Sequence, residues 1–424
     1  PIGPAVGSEL PLISHNASPL ESPIPSKQNS TMAQSSSSVP KNQTHRQQSI
    51  LFHADSSDPD MLYFSKFNAF DPYLAFSVGR KKFGIAHASE YGRMVAESGF
   101  DEILLLQEIS KGAARRFKLP QGQQPDTCHV VRHLAKLYQI PSFRIGARFP
   151  AALAADLQQA GLKLEIDKNV SLFPKREIKT ATEIEALRKG NRASAAGFRV
   201  VKKTLTESKI RGGQLIHQGK VLTSERLREL ISHAALEEGA VALHTIASCG
   251  DQVCDNHSPG HGPIMANELI IVDIFPRRPE DGYWGDMTRT FLKGRASDAQ
   301  KRLVRTVKRG HELAIRMIKP GQVGGKVHEA VQAFFEKEGY KTVKDSKTPE
   351  GFFHALGHGI GLEVHESPII RAAAPFKFKK GQVVTVEPGL YYLGLGGVRI
   401  EDVIHLVPGG NEKISHTPYK WEIA

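Results

Sequence analysis

Three histidines fall within twelve residues of this chain, His354, His358 and His365, in a segment that contains Gly357-His358-Gly359-Ile360-Gly361. Glycine on both sides of His358 lets backbone and ligands approach its ring closely, because no Cβ stands in the way. Two runs of strand type follow, Val383-Val384-Thr385-Val386-Glu387 and Val398-Arg399-Ile400-Glu401, each carrying a carboxylate. Upstream, Asp273 lies inside the apolar run Leu269–Phe275, and Asp286 opens the run Asp286-Met287-Thr288-Arg289-Thr290-Phe291. A carboxylate inside an apolar strand is costly unless it is paired or binds a metal. Asp273 shares its pleat face with Ile271 and Phe275, which points it inward. Four carboxylates and one imidazole form a mixed oxygen and nitrogen donor set. Such a set suits a borderline-hard divalent ion, or two ions sharing bridging carboxylates. Taken singly, each residue has a plainer reading: a strand-end acid, or a loop histidine. One acid per strand across two halves of the chain is hard to explain by solvation alone.

The elements that would position these residues form two similar sets. Helical patterns cover Glu183 to about Glu207, capped by Thr182, and Ser224 to Glu238, with Ser224 as a possible cap. Strands are expected at His244–Ser248, Leu269–Phe275 and Asp286–Leu292. The order then recurs, with helices at Asp298–Ile318 and Gly325–Gly339, the histidine segment, and strands at Val383–Glu387 and Val398–Leu406. The two halves share layout rather than residue identity, so a pseudo-twofold fold with a shared seam is expected. Before them, residues 61–177 alternate short apolar runs with helical ones, a small α/β domain. Phe173-Pro174-Lys175-Arg176-Glu177 reads as a hinge. Residues 1–60 form a low-complexity segment, rich in Ser, Pro, Gln and Asn over the first fifty, and are expected to be disordered, with order beginning near Met61. The sequence starts with Pro1, and Met32 is a candidate for the true start, which would make the first thirty residues an extension; residues 1–50 make a poor signal peptide. The domain boundaries expected are thus 1–60, 61–177 and 178–424.

Bulk properties narrow the function. The 424 residues are 40% apolar and 24% charged, with a mean hydropathy of −0.30, and no apolar run reaches membrane-span length. The net charge is +12, and residues 1–60 hold five acids against three bases, so the basic excess lies beyond them. The bases are scattered along helices without a nucleic-acid motif, and are read as solvated faces, with no nucleic-acid or membrane partner expected. Three cysteines exclude a disulfide scaffold and fit a reducing cytoplasm. Cys249, Cys254 and His257 are close in sequence, but no second ligand cluster completes a zinc site.

The segments Ile271–Ile274, Asp286–Phe291, His354–Glu366, Val386–Tyr391 and Val398–Asp402 resemble the pita-bread metallopeptidases: prolidase, aminopeptidase P and methionine aminopeptidase. The resemblance covers about 178–406. The α/β region ahead of it, and the Arg-Ile-Glu-Asp string, favour the prolidase and aminopeptidase P branch. It implies an α+β fold: a pita-bread catalytic domain with a pseudo-twofold repeat behind a smaller creatinase-type domain. It implies five ligands for two divalent ions per subunit: Asp273 and Glu387 each serving mainly one metal, Asp286 and Glu401 bridging, and His358 as the imidazole. The metal implied is manganese, with cobalt or zinc as alternatives. Glu387 also matches the residue that takes a proton from a water or hydroxide bridging the metals. His257 and His365 match substrate-facing histidines, His365 stabilising the tetrahedral intermediate, with His354 lining the site. Arg399 belongs to the substrate-binding set. The implied activity is hydrolysis of an N-terminal Xaa-Pro bond, on a dipeptide or a longer peptide, by a homodimeric exopeptidase. Two departures stand out. The 273–286 loop is about two residues longer than usual, which a hairpin absorbs cheaply. Around Asp255–His261 the common Pro-His pair is missing, so either His257 or His261 is the substrate-facing histidine, with spacing favouring His257. Arg371 is a candidate for a dipeptide's carboxylate, and equally a solvent-facing loop residue. The rival readings are a ligand-free binding protein of the same fold and a metal-free creatinase-like hydrolase.

Overall fold

The computed structural model describes residues 48–424. The first domain is a six-stranded sheet of order β4-β3-β2-β1-β5-β6, built from β1 Ser49–Ala54, β2 Tyr73–Val78, β3 Lys81–Ala86, β4 Glu102–Leu105, β5 Ser142–Ile145 and β6 Lys163–Ile166. Helices α1 Pro59–Ser65, α2 Ala88–Glu97, α3 Leu106–Phe117, α4 Thr127–Leu137 and α5 Ala151–Gln159 complete it. The expected boundary at residue 60 is wrong. β1 lies inside the sheet, antiparallel to β2 and parallel to β5, because Ile50-Leu51-Phe52 gives the end of the polar segment an apolar run to bury. Asp58 then caps α1, accepting from the Asp60 and Met61 amides, with Pro59 at the first helical position. The expected disorder of the earlier residues falls, for 1–47, outside the described residues.

The second region holds the repeated layout. Helix α6 spans Ala181–Glu207 and α7 spans Ser224–Glu237, with a small sheet of β7 Lys209–Arg211, β8 Gln214–His217 and β9 Lys220–Val221 between them. Strands β10 Ile246–Cys249, β11 Ile270–Asp273 and β12 Thr288–Lys293 follow. Then come α8 Asp298–Met317, α9 Gly324–Lys337, and strands β13 Gly357–Gly359, β14 Glu366–Ile370, β15 Val383–Val386, β16 Gly389–Tyr392, β17 Gly396–Arg399, β18 Asp402–Val407, β19 Gly410–Lys413 and β20 Glu422–Ile423. One sheet has the order β10-β11-β12-β20 and another β14-β13-β15-β18-β19, while β16 and β17 form a hairpin. Each helix pair covers its own apolar cluster: Phe198, Val201, Leu227 and Ile231 from α6 and α7, and Leu303, Val307, Val327 and Val331 from α8 and α9.

Local chemistry sets the helix starts. α6 begins two residues earlier than expected: Thr180 is the cap, not Thr182, because Glu183 stands three residues on and closes a capping box. Thr223, not Ser224, caps α7, and Ser297 with Gln300 forms a second capping box at α8. The run read as one strand, Val398–Leu406, is broken. β17 ends at Arg399 and β18 begins at Asp402, in different sheets, so Ile400-Glu401 is the step between them. Asp286 likewise precedes β12 rather than opening it.

Residues 173–177 are not a free hinge. Pro174–Glu177 is a 3-10 turn whose Arg176 is buried and pairs with Asp60 at 2.8 Å and Glu363 at 3.0 Å, and also with Glu366. Among the described residues, no helix is long and apolar enough to cross a membrane.

Within the first half, α6 meets the segment before β12 at glycines. A Cβ on Gly190 in α6 would lie 2.5 Å from the Gly285 amide nitrogen, and one on Gly285 would lie 2.2 Å from the Gly190 carbonyl oxygen. This contact seats the 284–286 segment on α6, where the Asn191 side chain accepts from the Asp286 amide at 3.3 Å. Gly190→Ala should force backbone apart and cost about 1–3 kcal/mol. Denaturant unfolding of the variant against the parent measures it, and an unchanged midpoint would contradict the close approach.

Candidate metal centre

Five sequence-predicted ligands converge where the two halves face each other. Asp273 ends β11, and Asp286 precedes β12, whose Thr288 pairs with Asp273 in register. His358 is the middle residue of β13, between β14 and β15. Glu387 follows β15, and Glu401 fills the step between β17 and β18. All five line one cavity, together with His257, His365 and Arg399. Asp273, Asp286, His358 and Glu401 are buried, and Glu387 is partly open to the cavity. One ligand atom each from Asp286, His358 and Glu401 lie within 4.8 Å of one another. His358 Nε2 is 3.3 Å from Glu387 and 3.7 Å from Asp286.

The supports explain this convergence. His358 Nδ1 is 3.0 Å from the Gly359 carbonyl, to which it donates, leaving Nε2 as the cavity-facing donor atom for a ligand bond. The flanking glycines serve backbone packing, not ligand space. A Cβ on Gly357 would be 2.1 Å from the Thr385 carbonyl oxygen, and one on Gly359 would be 2.2 Å from that of Ser367. β13 is thus squeezed between its neighbours, which is what drives His358 into the seam. Glu401 donates its amide to the Thr288 carbonyl at 3.1 Å and accepts from the Thr288 hydroxyl at 2.8 Å. Arg399 donates to Asp273 at 2.9 Å and to the Tyr391 hydroxyl at 2.9 Å. Behind Glu401, the buried pair Arg289–Asp402 spans 2.7 Å and ties β12 to β18.

The other candidates separate. His257 and His365 are exposed on the cavity wall, and the His365 ring meets that of His358 edge-on at 4.4 Å between centroids. His261 is outside the cavity, its amide donating to Gln252. His354 sits one layer back, with Nε2 3.2 Å from the Tyr391 hydroxyl. Arg371 is not brought to the site. It lies on a separate open cleft beside Lys377 and Lys379, because β14 carries the chain away from the cavity before the loop turns. Tyr391, Thr288 and Asn191 were not picked out as functional from the sequence. Tyr391 and Thr288 stood inside the resembling strings, but a supporting hydroxyl has no spacing signal of its own, and Asn191 had none at all.

Burial of so many acids perturbs them. Asp286 and Glu401 are pushed well above the carboxylate range, first by desolvation and then by the neighbouring carboxylates. Burial also raises Asp273, against the pull of Arg399. Desolvation opposes ionisation of Glu387 too, but its hydrogen bond and charge contact with His358 hold it down to about 2. His358 is raised to about 9 against its own burial, by Glu387 and then Asp286. His354 falls to about 4 through burial. These residues fit divalent cations. The donors are oxygen-rich with one imidazole, the cluster carries more acid than Arg399 and His358 offset, and Asp273 Oδ1 is buried without a hydrogen-bond partner.

The family model for metallopeptidase family M24 matches residues 185–408, a span that holds all five of these candidate residues. The chain belongs to this family. A curated M24 relative, an Xaa-Pro dipeptidase of Lactobacillus helveticus, is 30% identical over 247 residues, which is 57% of this chain. The match covers 61% of that relative, less than two thirds of its length. Among solved structures, an Xaa-Pro dipeptidase from Bacillus anthracis superposes with a TM-score of 0.72 at 22% identity, over 89% of this chain and 95% of that one. An X-Pro aminopeptidase from Thermotoga maritima gives 0.72 at 22% identity, over 89% and 97%. At that identity the likeness is one of fold: the M24 chain has the α+β pita-bread architecture of the prolidase and aminopeptidase P branch, N-terminal domain included.

In the metal-free M24 chain, Asp286 and Glu401 keep protons through a window in which the unfolded chain has lost them. At these sites the folded state then binds more protons, so their contribution to stability falls as pH rises from the carboxylate range, and that of His358 falls from pH 6.5 to about 9. A divalent ion should displace those protons. Calorimetric titration with Mn²⁺ at pH 7, in two buffers of different ionisation enthalpy, should show net proton release, smaller in Glu401→Gln. Zero release in the parent would contradict the raised carboxyls.

Proposed function

We propose that this M24 chain is an exopeptidase that hydrolyses the bond between an N-terminal residue and a proline, using two divalent ions, with manganese as the working metal and cobalt or zinc as substitutes. The single observation that carries this reading is the convergence of Asp273, Asp286, His358, Glu387 and Glu401 on one cavity whose wall also presents His257 and His365. The names of the curated relative and the solved neighbours supply the proline specificity. Four carboxylates gathered in one largely buried seam weigh against a metal-free hydrolase and against a binding protein that has lost its ligands.

When bound by these five side chains, the ions supply a water of lowered pKa and polarise the carbonyl under attack. The protein's own groups have separable roles in this reading. Glu387, held ionised beside His358, accepts the proton of the attacking water. His365, on the cavity wall, donates to the oxygen on which negative charge develops. His257 faces the substrate from the opposite loop. Arg399 favours the charged form of Asp273 and orients it through the 2.9 Å bond, and holds Tyr391 in place, with His354 behind it. Arg399 reaches substrate only from this position at the cavity wall. Arg371 is left out of the dipeptide role. The reading includes a homodimer, and a reducing cytoplasm, which suits the three free thiols.

A panel of Xaa-Pro dipeptides and Xaa-Pro-Yaa peptides with added Mn²⁺ tests the reaction and separates dipeptidase from aminopeptidase. No release of the N-terminal residue from either set sinks the reading. Asp286→Ala or Glu401→Ala should lose bound metal and at least about a hundredfold in turnover, checked by elemental analysis beside the peptide assay. His365→Ala should keep its metal and lower kcat about 10²–10³-fold with KM little changed; steady-state kinetics on the best peptide reads this, and a change confined to KM would remove His365 from the transition state.

A further inference from the structure

The segment between β13 and β14 forms part of the cavity wall and presents Val364 and His365 to it. It is held from outside the cavity. Glu366, the first residue of β14, accepts from the Leu362 amide at 2.9 Å and the Glu363 amide at 3.1 Å, closing the turn that ends in His365. Its other oxygen lies 2.7 Å from Lys179 Nζ, while Arg176 donates to the same oxygen as the two amides. Arg176 does not touch the cavity. It sits on the segment joining the two domains, and its second terminal nitrogen donates to Asp60 of α1 at 2.8 Å. Asp60 in turn accepts from the Ser171 hydroxyl and the Leu172 amide, both at 2.6 Å. Asp60, Arg176 and Glu366 are 9%, 5% and 6% exposed, so these charge-assisted bonds are shielded from solvent. Burial opposes ionisation of Glu366, yet Lys179 and Arg176 hold its carboxyl below the usual range, which keeps the pairing intact.

We infer that Asp60, Arg176 and Glu366 are positioning residues for His365, through which the N-terminal domain sets where that histidine stands over the substrate. The chain of bonds leaves the N-terminal domain at α1 and ends on the residue next to His365. A surface pair would add little rigidity, but a buried network with both carboxylates multiply bonded has one arrangement. Misplacing a group at the reacting centre by about 1 Å can cost about a hundredfold in rate. The inference rests on the reading of His365 as a group that acts on bound peptide, and the experiment separates the two.

The variants are Asp60→Asn, which keeps shape and removes one charge far from the cavity, Arg176→Gln, and Arg176→Lys. Hydrogen exchange of the full chain loaded with Mn²⁺ reads the peptide covering residues 360–366. Exchange there is expected to rise at least about tenfold in Asp60→Asn and Arg176→Gln, with Arg176→Lys in between and with bound metal unchanged. On the best Xaa-Pro peptide, kcat should fall about tenfold or more at nearly constant KM, and Arg176→Gln should cost nothing further in a His365→Ala background. Unchanged exchange in folded Asp60→Asn overturns the coupling. Loss of metal, or an equal fall in kcat with and without His365, overturns the positioning role. Should the parent cleave no Xaa-Pro peptide, the proposed function fails by itself, and the exchange result alone still decides the coupling.

Discussion

Gathering carboxylates in a buried seam is the constraint on which the rest of this structure depends. Asp273, Asp286 and Glu401 are almost fully removed from solvent, and Glu387 is close beside them. Charges in a low-dielectric interior are tolerable only with compensation. Arg399 compensates Asp273, His358 compensates Glu387, and in the absence of a cation burial and mutual repulsion raise the remaining two acids well above the usual carboxylate range. A site left in this state is poised for divalent metal, because one ion answers several of these charges together.

The scaffold is arranged to enforce that gathering. Each half of the catalytic region packs its own helix pair on an apolar cluster, and the charged residues stand at the strand ends that face the seam. The ligands stand at strand ends and strand breaks rather than at strand centres, apart from His358. Where backbones must come closest, glycine appears: Gly190 against Gly285, and Gly357 and Gly359 against β15 and β14. The outer ring of Thr288, Tyr391, Arg289 and Asp402 then fixes the angles of the carboxylates through neutral and charged hydrogen bonds. Second-layer bonding of this kind orients ligands and tunes their basicity.

The N-terminal domain is bound into the same logic. Its connection to the catalytic region is a buried turn whose Arg176 joins acids from both sides. Read from the sequence, that turn was a hinge, since Pro174 and a cluster of charges suggest a mobile linker. The partners that lock it, Asp60 and Glu366, lie over a hundred residues away in each direction. No local pattern reports such a meeting.

What the sequence determined by itself is the donor chemistry and the repeated layout. Carboxylates set in apolar runs, a histidine between glycines and two helix-helix-strand sets were all legible, because burial cost and periodicity are local properties of a chain. The apolar run Ile50-Leu51-Phe52 of β1 was legible in principle too, but the polar stretch before it masked the signal. Tertiary structure alone decided which histidine faces the cavity, that Arg371 lies on another cleft, and that Glu401 occupies a break between two sheets. Those outcomes depend on register and on contacts between residues far apart in the chain, where a shift of one residue turns a side chain from seam to solvent.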